Sequence, residues 1–105
     1  MLKLLEEINS NRTFARTSSG TKMLPLQTEV WDASQSVIRS LEPNLRRELE
    51  SAYADIRLLN QLVWLSAEFH RSTRAMISQY TDLSLKIAKK LDAIVESPRS
   101  HFPTS

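Results

Sequence analysis

The stretch that decides the fold is "PNLRRELESAYADIRLLNQLVWLSAEFHRSTRAMISQYTDLSLKIAKKLDAIVE", residues 43–96, which has no glycine and, after Pro43, no proline. Apolar residues recur in it at helical spacing. One seven-residue series runs Leu45, Ala52, Leu59, Ser66, Thr73, Tyr80, Ile87, Ile94, and its companion runs Leu49, Ile56, Val63, His70, Ile77, Ser84, Leu91. Both are apolar at their ends and polar in the middle, at Ser66, His70 and Thr73. Two structures satisfy that pattern. One is a continuous helix carrying polar layers in a long coiled coil; the other is a reversal within "SAEFHRSTRAM" that gives helices over about 43–69 and 73–96, packed as an antiparallel hairpin. At about 1.5 Å per residue the continuous helix would approach 80 Å and leave the first half of the chain little to cover. The hairpin is therefore preferred, with Ser72 placed to cap the returning helix although its turn lacks glycine. A break near Thr81 and Asp82 is a third arrangement.

Immediately upstream, "LPLQTEVWDAS" (residues 24–34) reads as a helix start. The Thr28 hydroxyl is placed to accept from the backbone N–H of Val30 or Trp31, and Glu29 and Asp32 put negative charge at the positive end of the helix dipole. Val30, Trp31, Ala33, Val37, Ile38 and Leu41 continue as an apolar stripe to about Leu41, so Trp31 is expected to be a structural bolt. Pro43 then disfavours helix at Glu42 and suits the first turn of the next helix. Residues 2–10 form a short helix through Leu2, Leu4, Leu5 and Ile8. Residues 11–26, "NRTFARTSSGTKMLPL", carry Arg12, Arg16 and Lys22 with no acid and read as a basic loop. Residues 97–105 are expected to be a disordered tail.

Composition points the same way. One glycine and four prolines among 105 residues are too few for the turns of a sheet protein. A chain of this size can remove roughly 60 to 70 % of its unfolded surface from water, enough for one core. The expected architecture is an all-α single domain over residues 1–96: a small helical bundle built on a long antiparallel hairpin. The run "LLNQLVWLSA", residues 58–67, is broken by Asn60 and Gln61 and falls short of the roughly 20 residues a spanning helix needs. Glu6 and Glu7 interrupt any signal-peptide core in "MLKLLEEINS". The expectation is a cytoplasmic protein with no transmembrane segment.

Chemistry is hard to find. The absence of cysteine excludes disulfides, a thiolate zinc site and a cysteine nucleophile. His70 and His101, the two histidines, have no partner at helical ligand spacing, so no metal or cofactor is expected. No serine sits in a G-x-S-x-G context and no glycine-rich loop exists to cradle phosphate. Glu42 with Arg46, and Asp82 with Lys86, lie four apart and read as solvated helix faces. An enzyme is not expected. Arg71, Arg74, Lys86, Lys89 and Lys90 face one acid, Asp82, in their interval, which makes a nucleic-acid-associated protein the alternative. Against it, the lysines sit opposite Leu83, Ile87, Leu91 and Ile94 as ordinary amphipathicity requires, the formal net charge is only +2, and no aromatic residues interleave to stack on bases.

The residues "LQTEVWDASQSVIRSLEPNLRRELESAYADIRLLNQL" contain a T-[DE]-x-W opening (Thr28, Glu29, Trp31), an L-x-P-x-L with a leucine four on (Leu41, Pro43, Leu45, Leu49) and a Y-x-x-I-x-x-x-N (Tyr53, Ile56, Asn60). In this the chain resembles a small helical region that recurs in many uncharacterised archaeal and bacterial proteins, where it often follows an N-terminal membrane segment or a coiled stretch. The resemblance implies a compact helical module and brings no activity; it leaves open a soluble relative or an excised domain. The expected function is a non-enzymatic interaction module, acting by self-association or by taking a partner helix into a groove. Trp64, which lies beside the Leu59 and Val63 seam, with Phe69 and Tyr80, are the interface candidates. Asn60 is either a buried polar residue that fixes helix register or a solvent-facing one.

Overall fold

The computed structural model describes residues 2–17, 24–68 and 74–96, and among these it has five helices and no strand: α1 Leu2–Thr17, α2 Glu29–Ala33, α3 Gln35–Ile38, α4 Pro43–Glu68 and α5 Arg74–Glu96. Pro43 opens α4 as the sequence requires, and Glu42 caps it. Its carboxylate accepts from the N–H groups of Asn44 and Leu45, each at 3.1 Å, while its carbonyl accepts the first helical bond from the Arg46 N–H at 2.9 Å. Glu42 thus serves the helix end, and Arg46 lies 3.9 Å from Glu50.

Helices α4 and α5 pack against each other, and Lys90 Nζ reaches Asp55 at 2.5 Å and Ser51 at 2.8 Å. Residues 35 apart on one straight helix would be separated by about 50 Å, and the longest dimension of the molecule is 43 Å. A single unbroken helix over residues 43–96 is therefore overturned. So is a break near Thr81: α5 runs through it, with the Thr81 hydroxyl donating to the Ile77 carbonyl at 3.0 Å. The proposed turn, with His70 and Ser72, lies outside the described residues.

The short first helix and the basic loop need correction, because α1 continues to Thr17. Leu4, Ile8, Asn11 and Ala15 are buried on one face, the i, i+4, i+7, i+11 pattern of a helix laid on a core. Arg12 and Arg16 are not loop charges; both turn to Asp92 on α5, Arg12 at 3.6 Å and Arg16 through a shorter contact. Lys22 and the tail from residue 97 lie outside the described residues.

The helix expected from Thr28 to Leu41 breaks at Ser34 into α2 and α3. The Trp31 carbonyl that a continuous helix would give to the Gln35 N–H accepts instead from the Gln35 side-chain amide at 2.9 Å and the Ser34 N–H at 3.2 Å, side-chain competition for a ladder position. Nor does Thr28 cap α2 through its side chain. The Val30 and Trp31 N–H groups are taken from across the fold by Glu7 of α1, at 2.7 and 3.2 Å.

Between α1 and α2 the backbone of residues 24–28 is non-helical, and three side chains supply the partners a sheet would. Tyr80 Oη accepts from the Leu24 N–H and donates to its carbonyl, at 3.2 and 3.0 Å. Asn60 closes both groups of Leu26 at 2.8 and 2.9 Å, and Asn11 closes both groups of Gln27 at 2.9 and 2.8 Å. Asn60 fixes the position of this strap, a role outside both of those weighed for it. Strap, α1 and α2 thereby close over a core in which Leu49, Tyr53, Ile56 and Leu59 of α4 meet Ile87, Leu91 and Ile94 of α5. Trp31 is 4 % exposed and stacks on Tyr53 with ring centroids 4.3 Å apart and planes 6° from parallel, as a bolt should.

Candidate interaction surface

The buried polar groups are occupied. Glu7, 3 % exposed, receives the Tyr53 hydroxyl at 2.8 Å besides the two N–H groups of α2. Burial and that bond hold the Tyr53 phenol well above its usual pKa. A shallow depression of about 350 Å³ between α1 and the strap touches Glu7, whose oxygens already face protein donors. Among the described residues no buried side-chain nitrogen or oxygen lacks a partner. No group of three or more potential metal ligands occurs among them, and no described helix is long and apolar enough to cross a membrane.

The surface is where the structure leaves work undone. Helix α4 carries two apolar stripes, and the heptad series accounts for only one. The second, formed by Leu58, Leu62 and Leu65 at i, i+4, i+7, lies beside the core seam and joins Leu83 of α5 to wall a groove of about 430 Å³ between the two helices, with Leu62 and Leu83 packing partly against the core. Leu58 is 54 % exposed. Asp82 and Lys86 of α5 edge the groove. Trp64, on the same helix, stands 61 % exposed and is not among the residues that line the groove. Single exposed leucines are ordinary, but a leucine-walled groove and an exposed tryptophan on one helix make α4 an apolar part of the described surface.

Of the interface candidates, Trp64 is exposed on α4, outside the groove lining. Tyr80 is corrected: it is 1 % exposed, with its hydroxyl committed to Leu24, because the strap needs a donor and acceptor at that level of α5. Phe69 lies outside the described residues. Leu58, Leu62 and Leu65 were not singled out in the sequence, because their spacing on α4 was masked by the stronger heptad seam beside it; Leu83, core-facing in the sequence pattern, packs against the core and also walls the groove.

The basic residues do not form one free face. Lys90 and Lys86 both turn to Asp55, at 2.5 and 3.9 Å; Arg74 and Lys89 are exposed, and Arg71 lies outside the described residues. Asp55 is itself largely buried at the α4 and α5 contact, so Lys90 serves packing. Comparison with protein-family models, with curated proteins and with solved structures returns no match to this chain.

Proposed function

We propose that the chain is a non-enzymatic helical interaction module whose working surface is the outer face of α4 and α5, covered in the assembled state by an apolar helix face from a second copy or a partner. The observation that carries this is the leucine-walled groove between α4 and α5, on a helix that also leaves Trp64 exposed. Helix-in-groove recognition uses such a surface: spaced apolar anchors enter a channel. The scaffold beneath it is an antiparallel hairpin. Pairings that rise along α4 as they fall along α5 support that direction, from Ser51 and Asp55 with Lys90 to Asp55 with Lys86. The strap and α1 brace the hairpin from the opposite side and leave the groove open.

A nucleic-acid role is less well supported, since Lys90 is held by Asp55 at 2.5 Å and the exposed Asp82 lies beside Lys86 on the groove, whereas a phosphate-binding face needs its cations unopposed. The test is amide chemical-shift mapping, first across protein concentration and then with a synthetic amphipathic leucine-rich helical peptide. Shifts confined to Leu58, Leu62, Trp64, Leu65 and Leu83 are expected in at least one series. A face that moves in neither series sinks the proposal.

A further inference from the structure

The charges at the edge of the groove indicate what covers it. We propose that the occupant is the same face of a second copy of this chain, in a two-fold symmetric dimer that pairs Asp82 of each copy with Lys86 of the other; this rests on the association surface proposed above and names its partner.

Asp82 and Lys86 lie one helical turn apart on α5 and both line the groove. Asp82 is exposed and makes no ion pair among the described residues, the i, i+4 contact with Lys86 included. Lys86 reaches Asp55 only at 3.9 Å, and its side chain remains 60 % exposed. A uniformly acidic or basic partner would satisfy one of these charges and repel the other. A second copy satisfies both, because an isologous interface pairs residue i with j and j with i. With the two-fold axis passing between residues 82 and 86, the two α5 helices cross antiparallel, and the spacing of about 6 Å between the residues places each acid opposite a base.

The same operation brings the two leucine-walled grooves face to face, and the dimer would also cover the exposed Trp64, which lies on α4 outside the groove lining. There is room for a stable contact. The 26 residues of α4 span about 39 Å, and two helices side by side are about 20 Å wide. Such a face can bury the roughly 800 Å² per partner of a standard interface.

The test is sedimentation equilibrium on wild type, on Asp82→Lys, on Lys86→Asp, on their equimolar mixture and on the double variant. Both positions are exposed, and helicity by circular dichroism checks each fold. Wild type is expected to dimerise; each single variant alone should bind itself at least about tenfold more weakly, because like charges then face each other. The mixture should recover heterodimer, one partner presenting two bases where the other presents two acids, and the double variant should dimerise like wild type. Single variants that dimerise unchanged, or a mixture and double variant that do not recover, overturn the reciprocal pairing while the association surface stands. A wild type that stays monomeric at millimolar concentration overturns the dimer. If that monomer still shows shifts at Leu58, Leu62 and Leu83 with the leucine-rich peptide, the interaction module survives with another occupant; if it shows none, both fall.

Discussion

Glu7 shows how much of this molecule depends on single polar side chains. It lies in a segment that reads as an ordinary charged helix, yet it collects the Val30 and Trp31 N–H groups and the Tyr53 hydroxyl. Glu7→Ala leaves those donors buried without an acceptor and is expected to cost at least about 3 kcal/mol, read as a lower urea midpoint. Glu7→Gln keeps one acceptor oxygen but turns an amide N–H₂ towards a donor, and should fall between the two. Tyr53 adds a pH signature. Its phenol is raised by burial first and by the Glu7 bond second, so the folded chain keeps a proton that the unfolded chain releases near pH 10. The sign follows: this contribution is fully present below about pH 10 and is lost above it, by about 1.4 kcal/mol per pH unit. Alkaline unfolding curves should steepen accordingly, and in Tyr53→Phe that part of the slope should vanish. An unchanged slope in Tyr53→Phe would remove Tyr53 as its source.

At the scale of elements, the strap formed by residues 24–28 is the least expected part. A segment containing Pro25 between two leucines, after a stretch rich in Ser and Thr, reads as loop, and composition alone cannot reveal that Asn11, Asn60 and Tyr80, between 16 and 56 residues away, close its backbone groups. Asn60→Ala should therefore cost about 1 to 3 kcal/mol by leaving the Leu26 groups unpaired, and should raise hydrogen exchange at the Leu26 amide before it affects α5. Exchange that rises uniformly instead would mean that Asn60 holds the whole bundle rather than the strap. What the sequence did make legible is local. Pro43 set the start of α4, and the seam from Leu45 to Ile94 set which faces of α4 and α5 meet. The length of α1 was hidden because Asn11, Arg12 and Arg16 resemble loop residues in composition while each has a distant partner in the fold. Tyr80 was misassigned for the same reason: its position suits either a seam or a surface, and only the strap decides.

For the whole molecule, two helices carry apolar residues on more sides than one core can use. The inner sides are covered by α1, α2 and the strap; the outer side of α4 and α5 is left with Leu58 and Trp64 exposed. Trp64→Ala separates a core role from a surface role. Because the ring is already largely in water, its removal should lower stability by less than about 1 kcal/mol, whereas truncating an interface tryptophan commonly costs 2 kcal/mol or more of association. The most direct measurement is solution mass by light scattering over a concentration series, on wild type and Trp64→Ala, with helicity followed in parallel. Wild type is expected to rise from 12.0 kDa towards twice that mass, and Trp64→Ala to remain monomeric with its helicity intact. A wild type that stays at the monomer mass throughout, with a Trp64→Ala variant that loses stability instead, would contradict the two-copy account.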